Sequence, residues 1–115
     1  MVALLGRLHK AGVPILAGTD GYGIEVVREL EIYQQAGISP AQALQIATIV
    51  PARVVGAAQR TGSIAVGKEA DMMLVDGDVS KELGALRRVV TVISDGYVMD
   101  ADELRKAAGY TGRPK

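Results

Sequence analysis

An acidic residue, Asp20, follows a short apolar run that is typical of a buried strand. Residues 13–17 (Val-Pro-Ile-Leu-Ala) contain no polar side chain, which is the pattern of a parallel strand covered on both faces. Gly18 and Thr19 then lead into Asp20. Because α/β enzymes keep their reacting groups at the carboxyl ends of parallel strands, this position favours a catalytic or binding role for the carboxylate.

The same loop is also compatible with a plain turn. Aspartates in turns commonly accept hydrogen bonds from nearby backbone N–H groups, and glycine is frequent here. In the catalytic interpretation, Thr19 orients the carboxylate through a hydrogen bond, and Gly21, Tyr22 and Gly23 line a substrate pocket. The Gly-Tyr-Gly sequence is not a phosphate-binding fingerprint. Both interpretations stay open on these residues alone.

His9 is the one histidine of the chain and a second candidate for metal binding. It falls with Lys10 in the last turn of a predicted helix, where the helix dipole favours positive charge. We therefore favour a surface histidine that complements the dipole over a metal ligand.

The first half of the sequence is mainly helical around the apolar run. In residues 24–36 the apolar side chains of Val26, Leu30 and Tyr33 recur at helical spacing, whereas Glu29 belongs to the polar remainder. Glycines and a Ser39-Pro40 capping signal stand at the expected helix ends. The predicted helices cover residues 2–10, 24–36, 41–47 and 52–57.

The periodicity changes after Arg60 to short β-prone runs. These runs end at glycine turns, and Asp95-Gly96 is a strong signal for a two-residue hairpin. Asp100 then opens a terminal helix that ends at Gly109. The predicted strands cover residues 63–66, 70–75, 89–93 and 97–99. The sequence therefore predicts a mixed α/β or α+β protein.

Composition excludes several classes of protein. The 115 residues include 13 basic and 13 acidic side chains without a long basic cluster, which argues against nucleic acid or a membrane surface as partner. The chain lacks cysteine, so it has neither a disulfide framework nor a thiolate metal site. The first ten residues have the wrong charge order for a signal peptide. We expect a cytoplasmic location.

An ordered set of motifs resembles the C-terminal part of the metal-dependent amidohydrolases, the superfamily of imidazolonepropionase, dihydroorotase and prolidase-like enzymes. The resemblance runs from about Leu8 to about Met99 and rests on residues 18–20, 47–53, 61–71 and 95–96 in that order. It implies that residues 1–59 form the last strand and helix of a (β/α)₈ barrel with flanking helices. It also implies that residues 60–115 form the C-terminal portion of a small β-sandwich with a terminal helix.

The resemblance assigns a chemical role to Asp20. In the superfamily this aspartate binds a divalent metal, with zinc as the expected ion, and takes the proton of the hydrolytic water. A complete barrel needs roughly 250 residues, so the histidines and lysine of the earlier strands have no counterpart here. Because one carboxylate does not make a catalytic zinc site, we expect this chain to be inactive alone.

Three functions follow from these observations. The first is a fragment or truncated relative of an amidohydrolase that hydrolyses non-peptide C–N bonds in cyclic amides or dipeptide-like substrates. The second is a non-catalytic module that self-associates into a homo-oligomer through its uncovered apolar surfaces. The third is a subunit completed in trans by a chain that supplies the missing barrel.

Overall fold

The computed structural model describes residues 1–21 and 25–112, and its first half contains four helices. These helices are α1 (Val2–Lys10), α2 (Glu25–Gln35), α3 (Pro40–Ile46) and α4 (Ile49–Val54). Gly12 and Gly37 follow α1 and α2 with positive φ angles of 76° and 89°, as the end signals predict. The capping box of Ser39 and Gln42 opens α3. Ile24, the first residue of the predicted second helix, lies outside the described residues.

Helix α4 begins three residues before the predicted start at Ala52. Pro51 occupies the first turn of this helix, where the backbone N–H that proline lacks has no intrahelical partner. The proline therefore fits inside the start of α4. The helix ends at Val54, three residues before the predicted end at Ala57, and Gly56 follows it with a φ of 74°.

The prediction of a strand over residues 13–17 is wrong for the described chain. This segment has no strand assignment, because a strand requires a partner and residues 1–21 and 25–112 offer it none. The side chains of Val13 and Leu16 are each 43% exposed, so the segment is not covered on both faces. Its C-terminal end is fixed by the Ala17 N–H, which donates to the Ile46 carbonyl at 3.2 Å.

The second half contains a three-stranded antiparallel sheet in the order β1 (Met72–Val75), β2 (Val89–Ser94) and β3 (Tyr97–Asp100). Asp95 and Gly96 connect β2 to β3 with φ angles of 49° and 80°. Two successive positive φ angles are the mark of a type I′ turn, so the predicted hairpin is confirmed. Strand β1 begins two residues later than predicted.

Residues 63–66, predicted as a strand, form an irregular loop. Gly62 and Gly67 both have φ angles of 86° and bend the chain on either side of the segment. The Lys68 ammonium group donates to the Ala58 carbonyl at 2.5 Å and to the Ser63 hydroxyl at 2.7 Å. The backbone of residues 63–66 therefore curves around the Lys68 side chain and does not extend along β1. Lys68 has a structural role in this loop.

Helix α5 (Ala101–Ala107) closes the described chain and packs against β2 and β3. Its N-cap is Asp100, whose side chain accepts hydrogen bonds from the Asp102 and Glu103 N–H groups at 2.8 and 3.0 Å. The Arg105 guanidinium donates to the Val89 carbonyl at 2.7 Å. These bonds confirm the predicted terminal helix and fasten it to the sheet.

The hydrophobic core joins the helical half to the second half of the chain. Leu83 and Leu86 come from a 3₁₀ helix (Leu83–Arg87) between β1 and β2, and they pack among side chains of α2 and α3. The buried cluster consists of Leu30, Tyr33, Ile38, Ala43, Ile46, Leu83 and Leu86. The division of the chain at residues 59 and 60 remains a prediction.

An ion pair reinforces the contact between α2 and the 3₁₀ helix. The Arg87 guanidinium donates a hydrogen bond to the Glu31 carboxylate, which also receives one from Arg28 at 3.2 Å. The bond from Arg87 lowers the pKa of Glu31 below its ordinary value of 4.5, against the opposing effect of burial.

We expect Glu31→Gln to lower the free energy of unfolding by about 0.5 to 1 kcal/mol at neutral pH. Because the folded-state pKa of Glu31 is lowered, its contribution is fully present above the unfolded-state pKa and disappears as pH falls through the folded-state pKa. Urea unfolding of the two proteins should therefore converge in acid. A stability difference that persists there would show that the charge is not responsible.

Candidate functional site

Asp20 lies at the end of the irregular segment that follows α1, with an exposed side chain. Thr19 before it is half-buried, and Gly21 after it is exposed. The predicted loop residues Tyr22 and Gly23 lie outside the described residues. The structure therefore describes Thr19, Asp20 and Gly21 of the predicted site and places them between α1 and the start of α2.

Two side chains of α2 hold the backbone that leads to Asp20. The Gly18 N–H donates to Glu29 Oε1 at 3.3 Å. The Tyr33 hydroxyl donates to the same Glu29 oxygen and lies 3.3 Å from the Leu16 carbonyl oxygen. Burial of the phenol, together with the hydrogen bond to Glu29, raises the pKa of Tyr33 well above its ordinary value of 10. Tyr33 therefore keeps its proton and acts as a donor at all physiological pH values.

A further carboxylate, that of Glu25, lies beside the Asp20 loop. Its side chain occupies the space into which a Cβ atom at Gly21 would project. Glu25 stands in the first turn of α2, where the helix dipole favours an acidic side chain. The sequence around Glu25 gives no specific signal for a site, because an acidic first turn is common in helices that carry none.

The described residues do not by themselves fit a catalytic metal centre. Within residues 1–21 and 25–112, no three side chains of the His, Cys, Asp or Glu type come together in a way that could hold a metal ion. His9 lies in the last turn of α1, where the dipole interpretation places it, and its side chain is half-buried, whereas that interpretation expects a surface position. A catalytic zinc site usually has three protein ligands, so Asp20 would need ligands from outside the described part of the chain.

An apolar groove of about 620 Å³ lies next to β1, away from Asp20. Its walls come from α4, from the loop around Gly62 and from β1, and they include Ala52, Val55, Ile64 and Met72. Ile64 and the nearby Val66 are highly exposed apolar side chains. Within the described part of the chain, β1 pairs only with β2, so its other edge has no strand partner there.

The sequence profile of the amidohydrolase family matches residues 1–99 of this chain. The chain belongs to the amidohydrolase family. Members of this family generally use a divalent metal ion. The resemblance inferred from the ordered motifs is thus confirmed, and so is the assignment to a family of hydrolases.

Individual relatives agree with the family assignment. The chain is 32% identical over 112 residues to imidazolonepropionase from Syntrophobacter fumaroxidans (strain DSM 10017 / MPOB). This alignment covers 92% of this chain and 26% of that protein. A crystal structure of a protein proposed to be a prolidase from Bifidobacterium longum has 36% identity and a TM-score of 0.78, covering 85% of this chain and 26% of that one.

A crystal structure of a Xaa-Pro dipeptidase with bound methionine in the active site is similar in fold, with a TM-score of 0.82 and 27% identity. The match covers 87% of this chain and 25% of that one. The chain therefore spans about a quarter of the length of the relatives that it matches. The mixed α/β architecture is confirmed. None of the helices in the described ranges is long and apolar enough to cross a membrane.

Proposed function

We propose that this chain forms the C-terminal quarter of a metal-dependent amidohydrolase and contributes Asp20 to its active site. In this proposal residues 1–59 supply the last strand and helix of the barrel, and residues 60–115 supply part of a β-sandwich. Residues 13–17, which have no strand partner in the described chain, would pair as a strand only beside the barrel strands of the complete protein. The observation that carries the proposal is the family match over residues 1–99 in a chain that spans about a quarter of its relatives.

The environment of Asp20 is consistent with proton transfer. Its carboxylate is exposed at the end of a segment whose backbone is held from α2, so it is accessible to a water molecule and to a substrate. A carboxylate in this place accepts a proton from the attacking water and returns it to the leaving nitrogen. The bound metal, with zinc as the expected ion, supplies the electrostatic activation of the water in the complete enzyme.

The substrate class follows from the names of the relatives. The names imidazolonepropionase and Xaa-Pro dipeptidase support the substrate class that the family resemblance implies, in which a C–N bond is hydrolysed. We therefore propose a cyclic amide or a dipeptide-like molecule as the substrate of the complete protein. In the 115-residue chain alone we expect no hydrolysis, because the described residues offer no cluster that holds the metal.

The first experiment is metal stoichiometry of the purified chain after loading with zinc or manganese and exhaustive dialysis, beside Asp20→Asn. We expect less than about one-tenth of an equivalent of metal in both proteins, since a stable zinc site needs more than one protein ligand. A full equivalent that Asp20→Asn removes would show a rebuilt site and would contradict inactivity of the chain. A full equivalent retained by both proteins would place a metal away from Asp20.

A second candidate function is assembly with another chain, through self-association or completion in trans. The groove next to β1, the free edge of that strand and the exposed side chains of Val13 and Leu16 support it. Sedimentation velocity over a wide concentration range tests self-association. A monomer at all concentrations would exclude the homo-oligomer, and a barrel protein that co-purifies from the native cell would favour completion in trans.

A further inference from the structure

The backbone of residues 16–18, which leads to Thr19 and Asp20, contacts both α3 and α2. The Ala17 N–H donates to the carbonyl of Ile46 at the end of α3. The Gly18 N–H donates to Glu29 of α2, and the Leu16 carbonyl oxygen lies 3.3 Å from the Tyr33 hydroxyl, whose proton goes to Glu29. Since the segment has no strand partner in the described part of the chain, these bonds set its course toward Asp20.

Glu29 and Tyr33 act as one unit because they are four residues apart on α2. This spacing places both side chains on the same face of the helix, where the Tyr33 hydroxyl reaches Glu29 Oε1. Tyr33 is almost completely buried in the core. Its hydroxyl therefore stands on a rigid base, and it fixes the carboxylate that receives the Gly18 N–H.

The other oxygen of Glu29 is unusual. Glu29 Oε2 is shielded from water and has no hydrogen-bond partner in the described structure. A shielded carboxylate oxygen without a partner destabilises a fold, so packing alone does not account for a glutamate here. Its paired oxygen, in contrast, makes a contact two residues from Asp20.

We propose that Glu29 and Tyr33 are positioning residues: Tyr33 fixes the Glu29 carboxylate, Glu29 holds the Gly18 N–H, and the pair thereby directs the Asp20 carboxylate into the active site. The link from Asp20 to catalysis rests on the proposed function, whereas the link from α2 to Asp20 is a property of this chain. Glu29 and Tyr33 touch neither substrate nor metal in this proposal. Their effect passes through the backbone of residues 16–18.

The test is amide hydrogen exchange and chemical-shift measurement by NMR on the intact 115-residue chain. Glu29→Ala removes the acceptor of the Gly18 N–H, whereas Glu29→Gln keeps a side-chain oxygen in that place. The Ala17 N–H is the internal reference, since it bonds to Ile46 and not to α2. Faster exchange of Gly18 that Ala17 does not share therefore reports a local effect and not a general loss of stability.

We expect Glu29→Ala to raise that ratio by about fivefold and to shift the backbone amide signal of Asp20. Glu29→Gln should restore the ratio to within about twofold of the unmodified chain, while the loss of its charge lowers the pKa of Tyr33 toward the ordinary value. Tyr33→Phe should also shift the Asp20 signal. Glu31→Gln is the matched control, because it alters another carboxylate on α2 that bonds to Arg87.

An unchanged Gly18 to Ala17 ratio in Glu29→Ala would overturn the proposal. An Asp20 signal that moves no further in Glu29→Ala than in Glu31→Gln would do the same. Neither measurement depends on metal binding or hydrolysis. The positioning pair can therefore fail while the amidohydrolase assignment of Asp20 stands. If Asp20 proves to have no catalytic role, the link from α2 to the Asp20 backbone can still hold, but the active-site role of the pair falls with it.

Discussion

Leu83→Ala is expected to lower the free energy of unfolding by about 3 kcal/mol. Leu83 is 1% exposed, and it extends from the 3₁₀ helix into the cluster formed by α2 and α3. The substitution removes buried methyl groups and leaves a cavity that the surrounding helices fill only in part. Small domains have total free energies of unfolding of about 5 to 15 kcal/mol, so the substitution is expected to remove a large fraction of the stability of the fold.

The measurement is urea unfolding followed by far-ultraviolet circular dichroism and by tyrosine fluorescence. Leu4→Ala is the control for the same chemical change, because Leu4 is 58% exposed on α1, and it should cost less than about 1 kcal/mol. In Leu83→Ala the unfolding transitions measured by circular dichroism and by fluorescence should coincide, since one core joins both halves of the chain. Separate transitions, or equal effects of the two substitutions, would contradict the shared core.

Elements with local start and stop signals could be predicted from the sequence. The capping box at Ser39, the glycine after α2 and the Asp95-Gly96 hairpin each depend on residues close together in the chain, and all three are confirmed. Such signals act through backbone geometry and side-chain hydrogen bonds that need no distant partner. Their outcome is therefore settled within a few residues.

The two strand predictions that are wrong concern segments whose pairing would require residues distant in the chain. Residues 13–17 and 63–66 have apolar or β-branched side chains, but a strand is defined by hydrogen bonds to a neighbour. The described residues place no strand beside either segment. The apolar character of residues 13–17 predicted burial on both faces, and the exposed side chains of Val13 and Leu16 show that this burial is not achieved within the described chain.

The sequence predicts a chemical role for Asp20 but not the contacts around it. The motif of residues 18–20 assigns that role, which stays a prediction, and it gives no indication of what holds the preceding backbone. Glu29 was assigned to the polar part of α2, although it bonds to Tyr33 on the packed face. The spacing of four residues between a glutamate and a tyrosine was the available signal. It is weak, because many surface glutamates stand at that distance from an aromatic residue.

Gly62→Ala is expected to lower the free energy of unfolding by about 3 kcal/mol, through backbone strain and overpacking together. Gly62 has a φ of 86°, a conformation that is unfavourable for alanine. An added Cβ would also lie 2.7 Å from the Ala52 Cβ and 3.1 Å from the Thr48 carbonyl oxygen. Neither neighbour is the end of a flexible side chain, so α4 or the loop must move.

Gly67→Ala separates the two causes. Gly67 has the same φ of 86°, but nothing lies within 4 Å of its Cβ position. This substitution should therefore cost only the strain, about 1 kcal/mol. The difference of about 2 kcal/mol, measured by urea unfolding of both variants, is the cost of the close approach between the Gly62 loop and α4.

Equal losses of stability in the two variants would show that the Gly62 loop moves away from α4 without cost. The groove next to β1 would then not have a fixed wall at Gly62. A larger loss for Gly62→Ala, reduced by the additional change Ala52→Gly, would show that the two residues are in direct contact.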